Sequence, residues 1–123
     1  MTAYSIKETS ADYGKEYQLI QADKFRNRSN NHWKLRIDLA KSLVAKYVLP
    51  GFKEKRIEDI VVVDVGCSVG TFAIEFAKDG FKSYGTDFDK EAIAIAKQLC
   101  EEEKVSAEFI CGDISEWKNT FPP

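Results

Sequence analysis

Ile60-Val61-Val62-Val63-Asp64-Val65-Gly66-Cys67-Ser68-Val69-Gly70 is the stretch whose reading decides the fold of this chain. Its first part, Ile60 to Val65, is a β-branched run of the kind a strand covered on both faces requires, which makes it the expected central strand. The residues then become small. Gly66, Ser68 and Gly70 permit a tight strand-to-helix bend and let backbone approach a ligand, and the free N–H groups of a helix start attract negative groups.

Downstream of the bend, Val69, Phe72, Ala73, Phe76 and Ala77 fall at helical spacing and turn one apolar face onto a sheet, until Gly80 ends the helix. Phe81 to Thr86 reads as a second strand. Asp89 suits the N-cap of a following helix whose buried stripe is Ala92, Ile93, Ala96, Leu99 and Cys100. A third strand is expected from about Ala107 to Cys111. Strand, helix, strand, helix, strand is half of an α/β, Rossmann-like doubly wound parallel sheet, and right-handed crossovers place its strands in the order 3-2-1.

Upstream, Trp33, Ile37, Ala40, Val44, Tyr47 and Val48 recur at helical spacing, with Asn30 or Asn31 as cap and Pro50-Gly51 as the stop. A weaker helical pattern covers about residues 11 to 27, where Tyr13, Tyr17 and Ile20 share a side and Gly14 interrupts. Residues 1–57 therefore read as an N-terminal helical segment, and residues 58–123 as the sheet-forming part.

The whole is one domain-sized chain of 123 residues, with net charge −2, 44% hydrophobic and 31% charged residues, which excludes a disordered tail or a disulfide scaffold. Cys67, Cys100 and Cys111 match no paired framework or zinc spacing, so a reduced interior and no metal are expected. No signal pattern or membrane-length apolar run is present, and a cytoplasmic location follows as the expectation. The small net charge hides an asymmetry. Residues 1–57 carry 12 Lys/Arg against 6 Asp/Glu, a balance of +6, and residues 58–123 carry 6 against 14, a balance of −8.

Strand C-termini of an open α/β sheet point toward one crevice, which would gather Asp64, Asp87 and Asp113 beside the Gly-rich bend. A carboxylate at Asp87 can accept both hydroxyl hydrogens of a ribose. The bend lacks the second and third glycines of G-x-G-x-x-G, disfavouring NAD or FAD, and the chain has no G-x-x-x-x-G-K-[ST].

Asp64, Gly66, Ser68 and Gly70, followed by Tyr84-Gly85-Thr86-Asp87, Asp89-Lys90-Glu91-Ala92-Ile93 and Phe109-Ile110-Cys111-Gly112-Asp113-Ile114, resemble the class I S-adenosylmethionine-dependent methyltransferases. The family pattern has an acidic residue followed by G-x-G-x-G; Ser68 stands in the middle glycine slot. The resemblance covers about residues 58–115 and implies S-adenosyl-L-methionine as cofactor. Asp64 would then hold the methionine amino group, directly or through water, the backbone from Gly66 through Cys67 and Ser68 to Gly70 would pass beneath methionine and ribose, and the helices of residues 1–57 would cover the site and help choose the acceptor. Asp87 would bind the ribose hydroxyls, Phe88 would pack on adenine, Asp113 would accept from its exocyclic amine, and Ile114 would cover the other side of the ring.

In-line methyl transfer asks the protein mainly to align the acceptor and exclude water, so no catalytic base is named; His32, the single histidine, reads better as a surface or capping residue. A small-molecule acceptor is the expectation. The competing readings are an RNA or protein acceptor gripped by Lys24, Arg26, Arg28, Lys34 and Arg36, with nucleic acid the less favoured partner, and a methyltransferase-like domain that binds without transferring methyl groups. Family members usually continue with further strands, so the chain is expected to be the first half of the domain, inactive alone, with the first strand an exposed apolar edge that invites self-association.

Overall fold

The computed structural model describes residues 14–113 and Ser115. Helix α1 spans Gly14–Arg26, a 3-10 turn follows at Arg28–Asn30, and α2 spans Trp33–Leu43. Strand β1 (Val61–Val65), α3 (Thr71–Lys78), β2 (Lys82–Asp87), α4 (Lys90–Glu103) and β3 (Ala107–Cys111) then alternate. The three strands are parallel in the order β1-β2-β3, with Val63 opposite Tyr84 and Gly85 opposite Phe109. This is the expected α/β arrangement, and β3 has the bounds read from the sequence.

The helices end where local chemistry says they should. Asp89 caps α4 by accepting from the Glu91 and Ala92 N–H groups at 2.9 and 3.4 Å. Gly80, at φ +100°, closes α3, donating to the Ala77 carbonyl while the Phe81 N–H reaches back to Phe76. Asn31, one of two expected caps, accepts from the Trp33 N–H at 2.9 Å, and His32 is exposed. Pro50-Gly51 does not stop α2 abruptly: the helix runs through a π turn at Val44–Val48 into a 3-10 turn at Leu49–Phe52. Trp33 and Ile37 are buried there, but Tyr47 and Val48 are exposed.

One apolar core joins Val69, Ala73, Ile74, Ala96, Leu99 and Phe109 with Ala22 and Phe25 of α1. A second cluster at the opposite strand ends packs Phe76 edge-on to Phe81 at 5.5 Å, beside Ile60. Two expectations need correction, both in α1. The face of α1 that packs inward is Gln18, Ala22 and Phe25, whereas Tyr17 and Ile20 are exposed; Tyr13 lies outside the described residues. Burying Phe25 contributes roughly 1.5–3 kcal/mol, more than any half-exposed aromatic on the other face can. Gly14 begins α1 rather than interrupting it. Among the described residues β1 is the exposed edge strand that the order 3-2-1 places there, with Val61, Val63 and Val65 open to solvent.

The charge asymmetry of the sequence is resolved inside the molecule. Arg26 forms a two-point pair with Glu102 at 2.9 and 3.0 Å, and Lys41 meets Glu75 and Asp79 at 3.0 and 3.3 Å. Arg28 stacks over the Phe25 ring at 4.0 Å and reaches Glu75 at 2.8 Å and Glu103 at 2.6 Å. The contact to Glu75 Oε2 lacks hydrogen-bond alignment, so charge rather than direction carries it. Burial works against the Glu103 charge, but bonds from Lys78 and Arg28 hold its carboxyl below the ordinary value. The basic segment is thus strapped to acidic residues of α3 and α4. Arg28→Met is expected to cost about 1–2 kcal/mol in urea denaturation, below a fully buried pair because Lys41 and Lys78 still neutralise Glu75 and Glu103. An unchanged midpoint would mean that the strap adds nothing to stability.

Candidate functional site

The bend after β1 is stitched to the ends of the other two strands. Gly66 and Cys67 both donate their N–H to the Thr86 carbonyl, at 2.8 and 2.9 Å, and Gly112 donates to the Asp87 carbonyl at 3.0 Å. Asp64, Asp87 and Asp113 therefore stand at the same rim of the sheet, as the sequence led us to expect. Gly66 turns at φ +72° and Gly70 at φ +84°, a conformation natural to glycine, and Ser68 shares it at φ +52°.

The two glycines serve different purposes. A Cβ at Gly70 would lie 2.7 Å from the Phe109 ring, so that glycine is required by core packing. A Cβ at Gly66 would meet nothing within 4 Å, so only its backbone angle, and no packing contact, asks for glycine there. Gly85 is also pressed by the core, since a Cβ there would come within 2.8 Å of Phe109 and 2.9 Å of the Cys67 sulfur.

The carboxylates differ in setting. Asp87 is half-buried and held at both oxygens, accepting from the Ser68 N–H at 2.8 Å and the Asp89 N–H at 2.9 Å. Each oxygen keeps a further lone pair for an outside donor. Asp64 is half-buried, and burial followed by the charge of Asp87 pushes its carboxyl up to about 6. Asp113 is exposed and accepts from the Ser115 N–H at 2.8 Å.

The other expected residues divide. Phe88 is 58% exposed beside Asp87, free to cover a flat ring. Cys67 is buried, and burial, then Asp64 and Asp87, raises its thiol well above the ordinary value. Its side chain is a packing group, and only its backbone lies on the bend. Ile114 lies outside the described residues.

Sequence reasoning missed Gln18. This α1 side chain is 2% exposed, accepts from the Ser68 hydroxyl at 2.9 Å and donates to Asp89 Oδ2 at 2.9 Å. Its signal was a polar residue in register, i, i+4 and i+7, with Ala22 and Phe25.

The rim therefore offers carboxylate acceptors to hydroxyl or amine donors, and an exposed aromatic side chain to a flat ring. Among the described residues no group of His, Cys, Asp or Glu could hold a metal, and no helix is long and apolar enough to cross a membrane.

Residues 62–122 match the family model of a methyltransferase domain. A protein of Geobacillus sp. (strain WCH70) named "Putative methyltransferase" is 36% identical over 55 residues, covering 45% of this chain and 22% of that protein. Among solved structures, the bifunctional kinase-methyltransferase WbdD aligns with a TM-score of 0.58 at 30% identity, over 71% of this chain and 18% of WbdD. The PH0226 protein from Pyrococcus horikoshii OT3 aligns with a TM-score of 0.56 at 29% identity, over 68% of this chain and 35% of that one. The chain spans well under half the length of each of these proteins.

Proposed function

Because residues 62–122 belong to the methyltransferase-domain family, we propose that this chain carries the cofactor-binding part of an S-adenosylmethionine-dependent methyltransferase acting on a small molecule. One observation carries the cofactor reading: Asp87, fixed by the Ser68 and Asp89 N–H groups, stands beside the Gly66 bend and close enough to Asp64 to raise its carboxyl. Asp87 takes the ribose hydroxyls and Asp64 the methionine ammonium. The Gly66 to Gly70 backbone underlies the ribose and methionine. Phe88 packs on adenine, and Asp113 accepts from its exocyclic amine.

When bound, the cofactor supplies an electrophilic methyl carbon on a sulfonium. The chain's own residues bind and orient it, and no side chain here is required as a base. The small-molecule acceptor is supported by the fate of the basic segment. Arg26 and Arg28 are engaged with Glu102, Glu75 and Glu103, and Lys34 with Asp38, so three of the five cations of the cluster are paired within the fold.

Calorimetric titration of the full-length protein with S-adenosylhomocysteine tests this. Asp87→Ala is expected to lose about 1.5–3 kcal/mol of binding, the range for hydrogen bonds to a charged group. Wild-type affinity in that variant would remove the proposed site, and a steeply salt-dependent affinity for RNA would move the acceptor to nucleic acid.

A further inference from the structure

The geometry points to Gln18 as a positioning residue through which helix α1 clamps the cofactor bend, an inference that rests on the reading above. Both ends of its buried amide are engaged. Asp89 can only accept, so the amide nitrogen must face Asp89 Oδ2 and the amide oxygen must take the Ser68 hydroxyl hydrogen. Ser68 in turn gives its N–H to Asp87 Oδ2, and Asp87 Oδ1 takes the Asp89 N–H. Gln18, Ser68, Asp87 and Asp89 thus close a ring that joins three segments: α1, the bend, and the loop between β2 and α4.

The ring has consequences for binding. Ser68 holds a left-handed conformation at φ +52°, unfavourable for a residue with a Cβ, and its side-chain bond to Gln18 opposes relaxation. The same ring aims the Asp87 carboxylate. Gln18 acts through Ser68 and Asp89, holding the two walls that would flank the nucleoside. Cofactor binding and docking of α1 then favour each other, because both need the bend and the α4 cap in one arrangement.

The test uses the full-length protein with Gln18→Met, which keeps the volume and removes both bonds, and Gln18→Ala as a second variant. Affinity for S-adenosylhomocysteine, read by calorimetry, is expected to fall about tenfold or more in both variants. In the ligand-free protein, amide exchange at residues 66–70 is expected to rise at least about fivefold while β3 is unchanged. A purely structural residue would instead loosen α1 and lower thermal stability without altering the stabilisation that ligand adds. Wild-type affinity together with unchanged exchange at the bend overturns the clamp. A wild-type protein that binds no S-adenosylhomocysteine overturns the functional reading, and exchange alone then decides whether Gln18 holds the bend.

Discussion

Gly70→Ala is expected to cost roughly 2–5 kcal/mol, a large fraction of the 5–15 kcal/mol that stabilises an ordinary domain. Two penalties combine. The residue sits at φ +84°, where a Cβ costs about 1–2 kcal/mol. That Cβ would also lie 2.7 and 2.8 Å from two Phe109 ring carbons and 3.1 Å from the Ala96 methyl, in a core where overpacking costs about 1–3 kcal/mol. Phe109 cannot retreat easily, because it is buried and packs against Gly85 as well. Gly66→Ala separates the two contributions. It meets the backbone penalty at φ +72° but no atom within 4 Å, so it is expected to destabilise by about 1–2 kcal/mol only. Equal urea midpoints for the two variants would show that contact with Phe109 is not what demands glycine at position 70.

Asp64→Asn should separate stability from binding. In the folded chain burial, and then Asp87, raises the Asp64 carboxyl from 3.8 to about 6. Between those pH values the folded state binds more protons than the unfolded state, so this group makes stability fall as pH rises from about 4 through about 6, and the deficit persists above. A shift of that size corresponds to about 3 kcal/mol; partial exposure reduces the expected effect to about 1–2 kcal/mol. Asparagine carries no charge, so the variant is expected to be more stable than wild type at pH 8 and nearly equal to it at pH 4. On the proposed reading it also loses the partner of the cofactor ammonium, and affinity for S-adenosylhomocysteine falls about tenfold or more. Thermal melts at the two pH values check the first part and calorimetry the second. A variant less stable than wild type at pH 8 would mean that the Asp64 charge is compensated in the fold.

The features legible in the sequence were those decided by neighbours along the chain. The bend from Asp64 to Gly70, the Asp89 cap, the Gly80 terminator and the stripe from Ala92 to Cys100 each depend on a few adjacent residues, and each stands where those residues put it. Parallel order followed from the same information, since alternating strands and helices connected by right-handed crossovers admit few arrangements. Helix α1 was read on its wrong side for the complementary reason. Tyr17 and Ile20 outweigh Gln18 in hydrophobicity, but Gln18 gains partners at Ser68 and Asp89, 50 and 71 residues away, that no local pattern contains.

The sequence by itself determined the strand-to-helix alternation, the glycine bend and the acidic residue that ends each strand region, because periodicity, capping and turn chemistry are short-range. The three-dimensional arrangement is what pairs Arg26, Arg28 and Lys41 of the basic half with Glu102, Glu75 and Glu103 of the acidic half, pushes the Asp64 carboxyl up to about 6 by burial and Asp87, and ties the first helix to the bend through Gln18. Those properties belong to charges and polar groups brought together out of water, and their energies depend on distance and burial that a linear chain does not specify.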